Sequence, residues 1–188
     1  MVAVEIMAMV KSRDCDVLRL AMLLTALLAP FSALAGDIRE FPAGSAGSLQ
    51  VRIDDGWRET RPPSDSGATV SIESKVPGQM QLLLTPIPLT NSGGDTRAIV
   101  QRTASQLGPQ SVEKTLRVEP LQGTEARGYY FKATDPAPKP GEFQFLYQGA
   151  VVVGRSLVTF TVLFNRGAEK DAESALSAVR ELRLVARS

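Results

Sequence analysis

Eight residues, Leu157 to Phe164, constrain this chain more than any others. Successive side chains of a strand point to opposite faces of a sheet, so Val158, Phe160, Val162 and Phe164 share one face. Thr159, Thr161 and Leu163 on the other face also tolerate burial, and the segment reads as a central strand. A central strand needs partners, and the same period of two recurs along the chain. Leu49, Val51 and Ile53 alternate with Gln50 and Arg52, and Val70 and Ile72 with Ser71 and Glu73. Met80, Leu82 and Leu84 mark a third strand that ends at Pro86 and Pro88. Leu116 and Val118 flank Arg117, and Tyr129, Phe131 and Ala133 alternate with Tyr130, Lys132 and Thr134. Phe143, Phe145 and Tyr147 open a strand that the apolar run Ala150 to Val153 extends.

Two segments change period. Asp95 or Thr96 suits a helix N-cap, and Ile99, Val100, Ala104 and Leu107 then follow the spacing of three and four until Gly108 and Pro109 stop it. Between Ala168 and about Leu182, the residues Ala172, Ala175, Leu176, Val179 and Leu182 share one side of a second helix. Glu169, Asp171 and Glu173 lie near its start and Arg180 and Arg183 near its end, as the helix dipole favours. Strands, one helix, more strands and a final helix predict an α+β fold. The expected form is a single antiparallel sheet of about six or seven strands with one central and one C-terminal helix packed on it.

Ahead of this domain, Lys11, Arg13 and Arg19 precede an apolar run that Pro30 and Ser32 break, and Ala33-Leu34-Ala35 presents small residues for a signal peptidase. The run is shorter than the roughly 20 residues a bilayer span needs. Residues 1–35 therefore read as a cleaved signal peptide, 36–48 as a flexible lead-in rich in Gly, Ala and Ser, and 49–188 as one domain in the periplasm or outside the cell. Cleavage after Ala35 removes Cys15, the only cysteine, so a chain of about 150 residues has to be held by its core without disulfides. The whole chain has 21 basic and 20 acidic residues, and those before Gly36 cancel. A near-neutral domain argues against nucleic acid or an anionic membrane as main partner.

The chain has no histidine. With no mature cysteine either, Ser-His-Asp and Cys-His mechanisms and the usual zinc sites are excluded. Asp54-Asp55 reads as a solvated turn rather than a glycosidase-like carboxylate pair. Ser92-Gly93-Gly94-Asp95 lacks the phosphate-loop pattern, and no calcium-loop spacing occurs. The expectation is a protein without enzymatic activity, cofactor or metal. Three features are candidates for binding instead. Trp57 follows the Asp54-Asp55-Gly56 turn and is either a ligand platform or a plug at the core edge. Tyr130 and Lys132 face away from Tyr129 and Phe131, toward a partner or beneath a helix. The loop Asp135-Pro136-Ala137-Pro138-Lys139-Pro140-Gly141 is stiffened by three prolines, which lowers the cost of ordering it on contact, and Asp135 and Lys139 are its charged candidates.

Taken in order, these elements resemble the PsbP-like fold of the extrinsic photosystem subunit and its bacterial relatives, including DcrB-type envelope proteins. Leu49-Gln50-Val51-Arg52-Ile53-Asp54-Asp55-Gly56-Trp57 is similar to the strand, turn and Gly-Trp opening of that superfamily. The helix after the third strand, the strand from Gly128-Tyr129-Tyr130-Phe131, and the apolar strand before a terminal helix continue the likeness. The resemblance implies a small adaptor-like domain that binds proteins or supports assemblies, and it brings no catalytic residues with it. The expected function is an exported, non-catalytic binding or accessory protein of the cell envelope, recognising another envelope protein. A second reading, from the two-sided apolar character of Val151 to Phe164, is a periplasmic carrier of an apolar or lipid ligand.

Overall fold

The computed structural model describes residues 36–60, 69–89 and 94–186, so the expected signal peptide lies outside the described residues. The elements are β1 (Gly36–Pro42), β2 (Ser48–Asp54), β3 (Arg58–Thr60), β4 (Val70–Glu73), β5 (Met80–Pro88), α1 (Thr96–Leu107), β6 (Glu119–Gln122), β7 (Arg127–Thr134), β8 (Phe145–Val153), β9 (Ser156–Phe164), α2 (Glu169–Arg180) and β10 (Arg183–Val185). The α+β class is as expected. Two sheets take the place of the single one: seven antiparallel strands in the order β3-β4-β5-β9-β8-β7-β6, and a three-stranded antiparallel sheet, β1-β2-β10. As its pattern required, β9 is central, paired with β5 and β8 along its whole length.

The second sheet arises from the face that β2 buries. Leu49, Val51 and Ile53 point into the same core as Ile72, Leu82, Leu84, Phe160 and Val162 of the large sheet. Their alternation marks a half-buried strand but does not say which sheet that strand joins. The Asp54-Gly56 turn carries the chain from one sheet to the other; Gly56 sits at φ +84°, where a side chain is strained. Residues 36–48, expected as a flexible lead-in, instead form β1, in register with β2 from Gly36–Asp54 to Pro42–Ser48, and a short 3-10 turn. Phe41 and Ala43 of this stretch are buried, so its small residues serve close packing rather than disorder.

Each face of the large sheet has its own cover. The small sheet and α2 lie on one side, where Ala172, Ala175, Leu176 and Val179 join the main core. On the other, α1 packs over β7 and β8, burying Val100 and Ala104 with Phe131, Ala133 and Ala150. Asp95 caps α1 by accepting the Ala98 N–H at 3.1 Å. Ile99, expected on the buried stripe, is 38% exposed. Leu116 and Val118 also depart from expectation: Leu116 is drawn into the α1-side core and pairing starts later, at Glu119. Phe143 precedes β8 instead of opening it.

Candidate functional site

Antiparallel pairing brings three connections to one end of the large sheet. Phe164, the last residue of β9, pairs with Met80 at the start of β5 and with Phe145 at the start of β8, which in turn pairs with Thr134 at the end of β7. The β4–β5 turn, the proline-rich β7–β8 loop and the β9–α2 turn therefore meet there. Asn165 ties them together. Its Nδ2 donates to the Gly78 carbonyl at 3.0 Å, its Oδ1 accepts the Gln144 N–H at 3.1 Å, and its own N–H donates to the Gln79 carbonyl at 2.9 Å. Nothing in the sequence singles out Asn165. It is one polar residue after a strand, and its partners lie 21 and 87 positions away.

The proline-rich loop is also closed by its own hydrogen bonds. The Asp135 N–H donates to the Gln144 carbonyl and Asp135 Oδ1 accepts the Ala137 N–H, both at 2.8 Å. At the tip, the Glu142 N–H donates to the Lys139 carbonyl at 2.9 Å while Glu142 Oε2 accepts the Lys139 N–H at 3.0 Å. Asp135 is thus partly used in shaping the loop, and Lys139 is exposed at its tip.

Beside this loop, between the end of α1 and the sheet, lies a cavity of about 310 Å³. Leu107, Phe143, Leu146 and Leu163 give it apolar walls, and Ser111, Asp135 and Gln144 add polar groups. Thr134, which also lines it, is held by Glu113, whose carboxylate accepts the Thr134 N–H at 3.1 Å and the Thr134 hydroxyl at 2.6 Å. Partial burial works against the Glu113 carboxylate, but hydrogen bonds, first from Thr134 and then from its own backbone, outweigh it and hold the carboxyl below the usual range. At the same end Val76 and Val112 are 57% and 54% exposed.

Ser111-Val112-Glu113-Lys114 has the Ser-x-x-Lys spacing of serine–lysine nucleophiles. Here Ser111 is buried and its hydroxyl donates to the Gly108 carbonyl at 3.0 Å, while the Lys114 ammonium donates to the Pro109 carbonyl at 3.4 Å. Both groups shape the turn after α1. Among the described residues no group of three acidic, histidine or cysteine side chains converges to hold a metal, and no helix is long and apolar enough to cross a membrane.

The other candidates lie elsewhere. Trp57 is 6% exposed within the main core, so it is a plug and not a surface platform. Tyr130 and Lys132 do face away from Tyr129 and Phe131, beside α2. Tyr130 is buried and its hydroxyl donates to Glu119 Oε2 at 3.1 Å. Lys132 is exposed, donates to Glu173 Oε1 at 3.4 Å, and lies 4.4 Å from the centre of the Tyr147 ring. The Tyr147 hydroxyl donates to the same carboxylate oxygen at 3.2 Å. Tyr130 and Lys132 therefore belong to an aromatic and charged cluster under α2, separate from Asp135 and Lys139.

Burial, then the charge of Glu173 and the hydrogen bond to it, push the Tyr147 phenol up to about 12 from 10.0. A raised pKa means that the fold favours the neutral phenol. That stabilisation is complete below pH 10 and is lost as pH rises through about 12. The difference in tyrosinate absorbance between wild type and Tyr147→Phe is expected to rise near pH 12. Glu173→Gln is expected to move that rise downward; an unmoved midpoint would show that Glu173 does not act on Tyr147.

No protein-family model matches this sequence, and no curated protein sequence does. Solved structures match it in fold. Cyanobacterial PsbP (CyanoP) from Synechocystis sp. PCC 6803 is similar with a TM-score of 0.53 at 10% identity, over 84% of this chain and 97% of that one. LpqN of Mycobacterium tuberculosis, involved in cell envelope biogenesis, is similar with a TM-score of 0.53 at 11% identity, over 80% of this chain and 92% of that one. At such identities the likeness is one of fold and assigns no site.

Proposed function

The domain has the PsbP-like fold, and we propose that this chain is an exported, non-catalytic accessory protein of the cell envelope that recognises another protein through the loop end of its large sheet. The observation that carries this reading is the apolar-walled cavity of about 310 Å³ beside a loop already closed by its own hydrogen bonds. A cavity at the small end of ligand pockets suits one apolar side chain of a partner, the usual anchor of a protein interface. A loop shaped in advance adds little ordering cost. Exposed Val76 and Val112 supply apolar surface at the same end. Export rests on the leader sequence, and the envelope role of LpqN supplies the context. The carrier reading has less support, because the side chains of Val151, Val153, Val158, Phe160 and Val162 are taken up by the protein's own core.

Photo-crosslinking in the intact cell tests the proposal. A crosslinker at Lys139 is expected to capture one envelope protein that the same group at Gln122, on β6 and at the opposite end of the sheet, does not capture. Equal capture from both positions, or none from Lys139, would overturn it. Recovery of a bound lipid on solvent extraction would favour the carrier instead.

A further inference from the structure

We propose that β1 pairs with β1 of a second copy of this chain, antiparallel, with Ile38 opposite Ile38 and Asp37 opposite Arg39. This inference is independent of the partner proposed for the loop end. An unpaired edge strand is a template for another strand, and native sheets keep such edges short or blunt them. The large sheet follows that rule: its edges are β3, with three residues, and β6, with four including Pro120. The edge at β10 also has three residues. By contrast β1 runs for seven residues with its single proline at the last, and among the described residues it pairs with β2 alone.

Its side chains suit a copy of itself. Ile38 is 58% exposed, the largest exposure among the large apolar residues described. Asp37 and Arg39 lie on the other face, and the side chain of neither has an ion pair or hydrogen bond among the described residues. A continuous sheet that keeps both buried faces on one side must set odd residues of one copy opposite odd residues of the other. Three registers centre on this part of the strand. One sets Asp37 against Asp37. Another sets Arg39 against Arg39 and Ile38 against Glu40. The third sets Ile38 against Ile38 and forms two Asp37–Arg39 pairs, turning lone charges into cross-strand ion pairs. Only the third is complementary, and it joins the small sheets of the two copies into one.

Sedimentation equilibrium of the purified protein is expected to show a concentration-dependent dimer. Asp37→Arg sets arginine against arginine and Arg39→Asp sets aspartate against aspartate. Each single change is expected to weaken the dimer on the order of tenfold or more. The double variant D37R/R39D rebuilds both pairs with their ends exchanged and is expected to restore the wild-type dissociation constant, with thermal melts confirming that all three variants are folded. A wild type that stays monomeric, singles that dimerise like wild type, or a double variant no better than the singles would each overturn the proposal.

Discussion

Gly149→Val is expected to lower the unfolding free energy by about 3 kcal/mol, the upper part of the range for forcing atoms into a packed core. The measurement is the urea midpoint, with the slope unchanged. Gly149 pairs with Tyr130 on one side and Phe160 on the other, so a row across the sheet reads Tyr130, Gly149, Phe160 on the main-core face. A Cβ at Gly149 would run into the Tyr129 carbonyl oxygen and lie 2.7 Å from both Phe160 Cζ and Tyr130 Cβ. The backbone oxygen has little room to move, and the Phe160 ring and the Tyr130 Cβ occupy the volume that the missing side chain leaves. Gln148→Val, one residue earlier and half-buried on the opposite face, is expected to change stability by only about 0.5 kcal/mol. Adding Phe160→Leu to Gly149→Val should return part of the loss, because contacting sites are not additive. Equal midpoints for Gln148→Val and Gly149→Val would show that the row is not packed as described.

Gly149 also marks the limit of what the sequence can tell. Strands β5, β7 and β9 were legible because each alternates over several residues, and so was α1, whose Asp95 cap and Gly108 stop bracket an apolar stripe. Those patterns report which face is buried. They do not report what lies across from it. Hence alternation in β2 does not reveal a second sheet, the Gly, Ala and Ser content of 36–48 masks the strand β1, and β3 and β10 are too short to show a period. The same blindness to distant neighbours covers the candidate site. Asp135 and Lys139 were legible, since prolines announce a stiff loop. Asn165 and the walls formed by Leu107 and Leu163 were not, because the strands that bring them together are far apart in the chain. Trp57 stayed open between platform and core-edge plug, since a Gly-Trp turn says nothing of whether the ring faces core or solvent, and the structure buries it.

Phe143→Asp is expected to weaken binding of the envelope partner by roughly 30-fold, or about 2 kcal/mol, the loss typical of a central apolar contact. Phe143 is the wall residue best suited to such a test. It is half-buried and lies in the loop ahead of β8, so an aspartate there alters the cavity without breaking a strand. The carboxylate would face Leu107, Leu146 and Leu163, and a partner's apolar side chain would then have to bury it. Asn165→Ala provides the contrasting case. It leaves the walls intact but removes two hydrogen bonds that hold the loop to the β4–β5 turn, so loop order must be paid for at each encounter. Its loss of affinity should be smaller, and it should come with about 1–2 kcal/mol of lost stability, which Phe143→Asp should not share. If both variants bind in proportion to their stability alone, the loop end is scaffold and recognition lies on another face. If Phe143→Asp loses binding with its melting temperature unchanged, the cavity is the anchor.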